Sequence, residues 1–185
     1  MSSSSTLIPA ATTWKIDPSH SHVEFAVRHL MISTVKGRLN EVEGFATLGE
    51  TADTVVGVDV TIQTASIDTR NEQRDAHLRS ADFFDVERFP TITFRSRRVE
   101  GNPLDGSFSL IGDLTIRGVT REVTLKAMSE GRARDPWGGE RAGFSARTKI
   151  NRGDFGLTWN QALEAGGVVV SDEVRVSIEV ELVAQ

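Results

Sequence analysis

Histidines and one short polar turn are the residues of this chain whose types and spacing could do chemistry. His20 and His22 stand two apart, which on a strand turns both imidazoles to one side and would suit a chelated metal ion. A zinc or non-haem iron site also needs a third ligand brought close by the fold. Hydrogen bonding of His20 or His22 to loop backbone after Pro18 is the plainer role, and no metal is expected. Arg74 and His77 are one helical turn apart, next to the apolar pair Phe83-Phe84, and together could meet an anionic or hydroxyl head group. In the plainer reading, Arg74 or Asp75 merely pins a helix to the body by an ion pair. The chain has no cysteine, which excludes disulfides, thiolate zinc sites, iron–sulfur clusters and a cysteine nucleophile. It has no Gly-x-Ser-x-Gly elbow and no glycine-rich phosphate loop. Asp59, Asp113, Glu179 and Glu181 fall on the polar sides of strands, where carboxylates solvate a surface. No catalytic residue and no cofactor are expected.

The elements that would position these residues are strands. Apolar and polar residues alternate with period two along much of the chain, the pattern of a strand buried on one face. Val23, Phe25 and Val27 oppose Glu24 and Arg28, and the chain continues through Val35, Gly37 and Leu39 and returns through Phe45 to Leu48. Val56, Val58, Val60 and Ile62 read as one inward row, as do Ile92 and Phe94. Phe108, Leu110, Gly112, Leu114 and Ile116 precede a reversal at Gly118, after which Val123, Leu125 and Ala127 return. Phe144 to Ile150 and Val174 to Leu182 complete the series. One segment breaks the rhythm: Thr69 and Glu72 have capping-box spacing, and Asp75 with Arg79 makes an i,i+4 pair, so a helix is predicted that ends before Phe89-Pro90. Residues 153–167, with Trp159, read as a loop or short helix. About eight strands and one inserted helix make an all-β fold, either a closed barrel or an open two-sheet sandwich.

Length and composition set the frame. The chain has 185 residues, 38% hydrophobic and 25% charged, which suits one globular domain with a buried core. A net charge of −5 argues against nucleic acid as a partner. Residues 1–12 read as a flexible tail before one domain over 13–185. Leu7-Ile8 followed by Pro9 is too short an apolar run for an export signal, so a cytoplasmic location is expected, or a periplasmic or secreted one if the sequence is truncated. No apolar stretch is long enough for stable membrane insertion as a helix. A homodimer is compatible with the sequence.

Several ordered blocks are familiar. Trp14-Lys15-Ile16-Asp17-Pro18-Ser19-His20-Ser21, Ser66-Ile67-Asp68-Thr69, Arg74-Asp75-Ala76-His77-Leu78, Asp82-Phe83-Phe84-Asp85 and Phe89-Pro90-Thr91-Ile92 occur in sequence. Gly112-Asp113-Leu114, Arg152-Gly153-Asp154-Phe155-Gly156 and Val170-Ser171-Asp172-Glu173 follow. Over residues 13–182 the chain resembles the YceI-like family. That resemblance implies an eight-stranded antiparallel, lipocalin-like barrel that encloses a polyisoprenoid, prenyl-quinone-like lipid or fatty-acid derivative. It implies carriage or storage, not turnover; an enzyme acting on an isoprenoid lipid is the alternative. The cavity wall would be Phe25, Val27, Val58, Val60, Phe83, Phe84, Phe94, Phe108, Leu110, Leu114, Phe144, Trp159, Val176 and Ile178, with Arg74 and His77 at the head group. Leu39 departs from the family pattern, which has an aromatic residue there.

Overall fold

The computed structural model describes residues 11–49, 55–101 and 105–185. Most of the expected tail, Leu7 to Pro9 included, lies outside the described residues, and Thr12 already belongs to the first strand. In chain order the strands are β1 (Thr12–Ile16), β2 (His22–His29), β3 (Ser33–Leu39), β4 (Val42–Leu48), β5 (Val55–Gln63) and the short β6 (Ile67–Asp68). Helix α1 (Glu72–Arg79) follows, and then β7 (Thr91–Glu100), β8 (Ser107–Ile116), β9 (Val119–Arg134), β10 (Glu140–Asn151) and β11 (Glu173–Ala184). Every pairing is antiparallel.

The sheet closes on itself, which rejects the sandwich. β1 pairs with β4 through Trp14↔Ala46 and with β11 through Trp14↔Ala184, completing the ring β1-β4-β5-β7-β8-β9-β10-β11. Closure leaves no open edge in that ring. At the other end of the barrel β2 takes the place of β1 beside β11, and β3 and β6 extend the wall. Trp14 is fully buried, with Arg132 stacked 4.8 Å above its ring. The β8–β9 hairpin turns over Arg117 (φ 49°) and Gly118 (φ 72°), a two-residue turn whose twist matches the strands it joins. A Cβ on Gly118 would also meet the Phe89 ring at 2.8 Å.

The alternation reading fails where a strand carries an extra residue. Thr47 pairs with Gly57 but Leu48 pairs with Val55, so Val56 is a bulge residue and the parity of β5 reverses there. Val55 is therefore buried and Val56 is 58% exposed, not part of the inward row. Arg97 on β7 and Glu130 on β9 are extra residues of the same kind. Phe45 is likewise half exposed on the outer side of β4, between buried Gly44 and Ala46.

The helix is as expected in place but differs in detail. Asn71, not Thr69, caps it, its side chain accepting from Arg74 N at 2.9 Å. The Thr69 hydroxyl is already used: with its own N–H it donates to buried Asp75 Oδ1, at 2.6 and 2.9 Å. Asp75 and Arg79 form no ion pair, because Arg79 instead donates to the carbonyls of Ala65 and Ile67.

The His20–His22 pair is divided between two elements. His20 sits in the short turn Pro18–His20, with Nδ1 3.0 Å from Asp17 Oδ2, while His22 on β2 faces Glu179 at 3.6 Å. Asp17, His20 and Glu181 converge in a way that could hold a cation, but the Arg141 guanidinium is there: Nη1 donates to Asp17 and Glu181, and Nε to Asp135. Hydrogen bonds from Ser19, His20 and Arg141 hold the Asp17 carboxyl well below the usual carboxylate range, and Arg141 lowers Asp135 in the same direction. A carboxyl depressed in the folded state stabilises the fold above its unfolded pKa of about 3.9, and that contribution disappears as pH falls through the folded value. Arg141→Gln is expected to lower stability at neutral pH and to flatten its decline below about pH 4, measured by urea unfolding across an acid series.

Candidate functional site: an apolar cavity in the barrel

The barrel is hollow. A cavity of about 660 Å³ runs inside it, within the ~300–1,000 Å³ typical of pockets that enclose most of a small ligand. Its wall is built from the inward rows of the strands, and the residues expected there from sequence all stand on it: Phe25, Val27, Val58, Val60, Phe94, Phe108, Leu110, Leu114, Phe144, Val176 and Ile178 from strands, and Phe83, Phe84 and Trp159 from loops. Two inward glycines make room for rings. A Cβ on Gly37 would lie 2.4 Å from the Phe25 ring, and one on Gly112 would lie 2.7 Å from the Phe94 ring and 2.3 Å from the Arg95 carbonyl. Phe108 and Phe144 meet edge to face with centroids 6.2 Å apart.

Polar groups gather at the helix end. Asn71, Gln73 and Arg74 line the cavity and are also exposed, so the cavity meets solvent there. The Arg74 guanidinium is committed to the wall itself, with Nε donating to Thr69 Oγ1 (2.7 Å) and Nη2 to Thr69 O (2.9 Å). Arg74 therefore pins the helix by hydrogen bonds to a loop and not by an ion pair. His77 is clamped edge-on between Phe83 (5.1 Å) and Trp159 (4.8 Å), with Nε2 2.8 Å from Asp82 Oδ2. The ring is thus fixed in orientation at the cavity wall.

Sequence reasoning missed what holds Trp159 in place. Arg152 is 4% exposed, in the turn Arg152–Phe155 after β10. Its guanidinium donates to the carbonyls of Ser171 (2.9 Å), Leu157 (2.8 Å), Trp159 (2.8 Å) and Val170 (3.4 Å). Burial lowers the pKa of Arg152, and the nearby Asp172 carboxylate, 3.6 Å away, works in the opposite direction. One buried cation thereby gathers the irregular segment 156–172 and seats Leu157, Trp159, Val169 and Val170 on the cavity wall. No periodicity marks such a segment, so only the Arg152-Gly153-Asp154-Phe155-Gly156 block pointed to it.

Comparison with known proteins agrees with this architecture. Residues 14–182 match the family model for the YceI-like domain. The protein YceI of Salmonella newport (strain SL254) is 42% identical over 179 residues, covering 95% of this chain and 88% of that protein. The crystal structure of the Campylobacter jejuni YceI protein is similar with a TM-score of 0.72 and 34% identity, over 83% of this chain and 87% of that one. A polyisoprenoid-binding domain from Saccharophagus degradans, implicated in plant cell wall breakdown, shares the fold with a TM-score of 0.70 at 14% identity, over 94% of this chain and 99% of that one.

Proposed function

Because this chain belongs to the YceI-like family, we propose that its barrel binds one long apolar lipid, a polyisoprenoid or prenyl-quinone-like molecule, and carries or stores it unchanged. The observation that carries this reading is the 660 Å³ cavity, walled mainly by apolar side chains, with Asn71, Gln73, Arg74 and His77 at its helix end. Burying apolar carbons there contributes about 0.8 kcal/mol per methylene-sized group before ordering costs. The tail fits inside and the head group faces the helix end, where Arg74 and His77 orient it. Carriage is favoured over conversion by the way these side chains are already engaged: Arg74 with Thr69, Arg152 with four carbonyls, and His77 wedged between two rings. The polyisoprenoid-binding description of the Saccharophagus domain points to the same ligand class.

Solvent extraction of the purified protein followed by mass spectrometry tests this directly. A stoichiometric prenyl lipid, recovered unaltered after incubation, is the expected result. Recovery of no long-chain lipid, together with failure to take up added prenyl alcohols, would sink the proposal. Conversion of the added lipid would favour an enzyme, and recovery of an acyl chain would favour a fatty-acid derivative.

A further inference from the structure

The tip of the β2–β3 hairpin is apolar where a polar turn would be expected. Met31 is 58% exposed and Ile32 79%. Leu30 (φ 51°) and Met31 (φ 59°) both occupy left-handed backbone, a conformation that two-residue hairpin turns normally reserve for asparagine and glycine. The turn is nevertheless held firmly: Ile32 N donates to His29 O (3.1 Å), Leu30 N to Val169 O (2.9 Å) and Arg28 Nη2 to Met31 O (2.8 Å). Val168, 37% exposed, neighbours the residue that the tip bonds. These three side chains form a rim beside the cavity, since His29, Val169 and Val170 line it and His29 bridges to Val170.

Basic side chains flank this rim although the chain carries −5 overall. Arg28 and Lys36 point outward on the same hairpin, and Arg175 faces outward in the row Arg175↔Ala26↔Lys36. Glu24 pairs with Lys36 and Arg38, Glu173 with Lys149, and Asp172 with Arg152, while Glu164, in the turn that leads to Val168, is an exposed carboxylate beside the rim. Arg175 has no acidic partner among the described residues. At roughly 3.4 Å per residue, Lys36 stands about 14 Å from Ile32 along the strand, close enough for its long side chain to approach lipid head groups when the tip is embedded.

We infer that Met31, Ile32 and Val168 form a docking rim for an anionic bilayer, placing the cavity beside the membrane from which its lipid is loaded. Shallow apolar insertion combined with basic side chains is the pairing that gives reversible surface binding without a membrane span. The inference rests on the proposed prenyl-lipid function for its purpose, and on the hairpin and its surrounding charges for its geometry.

Vesicle flotation of the full chain separates the two. The protein is expected to float with phosphatidylcholine–phosphatidylglycerol vesicles, and about tenfold less with phosphatidylcholine alone or at raised salt. Met31→Asn with Ile32→Ser, which places asparagine at a left-handed position, is expected to reduce flotation about tenfold while leaving thermal stability intact. Detergent-dispersed geranylgeraniol should bind the variant as it binds the parent, but its uptake from vesicles should slow. A parent protein that binds geranylgeraniol yet never floats overturns the docking rim. Flotation without any prenyl binding supports the rim and overturns the proposed ligand. A parent dimer that the double substitution converts to monomer, with neither form floating, makes the rim a self-association surface and overturns the inference.

Discussion

Arg152→Ala is expected to destabilise the protein by about 3–5 kcal/mol and to release the loop that carries Trp159. The side chain is buried and its donors serve the carbonyls of four residues, so alanine removes a cation and leaves acceptors without their partner in a dry environment. Each buried group so orphaned costs about 1–3 kcal/mol unless the loop opens to water. Opening the loop limits that cost but withdraws Leu157 and Trp159 from the cavity wall. Both routes predict a melting temperature lower by roughly 10 °C in a chain of this size and faster amide exchange over residues 157–170. Prenyl affinity falls as well, because part of the wall is lost. Arg152→Lys keeps the charge but replaces the planar fork with a single ammonium, and should restore only part of the stability. Unchanged exchange in the loop of the alanine variant would show that Arg152 does not hold it.

Tail length is expected to dominate affinity for the bound lipid. Five carbons per isoprene unit at about 0.8 kcal/mol each give about 4 kcal/mol gross. Ordering a flexible segment removes a share of that, leaving about 2 kcal/mol, or roughly 30-fold per unit. The cavity volume of about 660 Å³ equals about 22 water-sized volumes at ~30 Å³ each, and a methylene group is of about that size. The gain should therefore continue through at least the fourth unit. Calorimetric titration with a series of prenyl alcohols measures the slope, and changing the head group at fixed tail length should matter far less. An affinity that tracks the head group and ignores tail length would contradict apolar burial as the driving force.

These two results probe parts of the protein that differ in how readable they were. The wall was visible as alternation because a strand repeats every two residues and a closed sheet must turn one face inward. Phe25, Val58, Leu114, Val176 and Ile178 could be assigned to the interior from pattern alone. Val56 could not, since a bulge reverses parity with no mark in composition. The helix was legible, but its cap was not: Thr69 and Asn71 are both competent, and buried Asp75 decides by claiming the Thr69 hydroxyl. His20 and His22 share a spacing but not an element, because Pro18 starts a turn that ends before His22 joins β2.

The sequence by itself therefore determined an all-β chain with an apolar inside, one helix and no cysteine chemistry. It also carried enough ordered blocks to resemble one family. Tertiary structure decided what alternation leaves open: that β1 pairs with both β4 and β11 and so closes the sheet, and that the space inside is hollow. The physical reason is that periodicity records which face is shielded from water, whereas a void depends on how far apart the shielded faces stand. That distance is set by strand pairing and by contacts such as those of Arg152, which join residues that no local pattern connects.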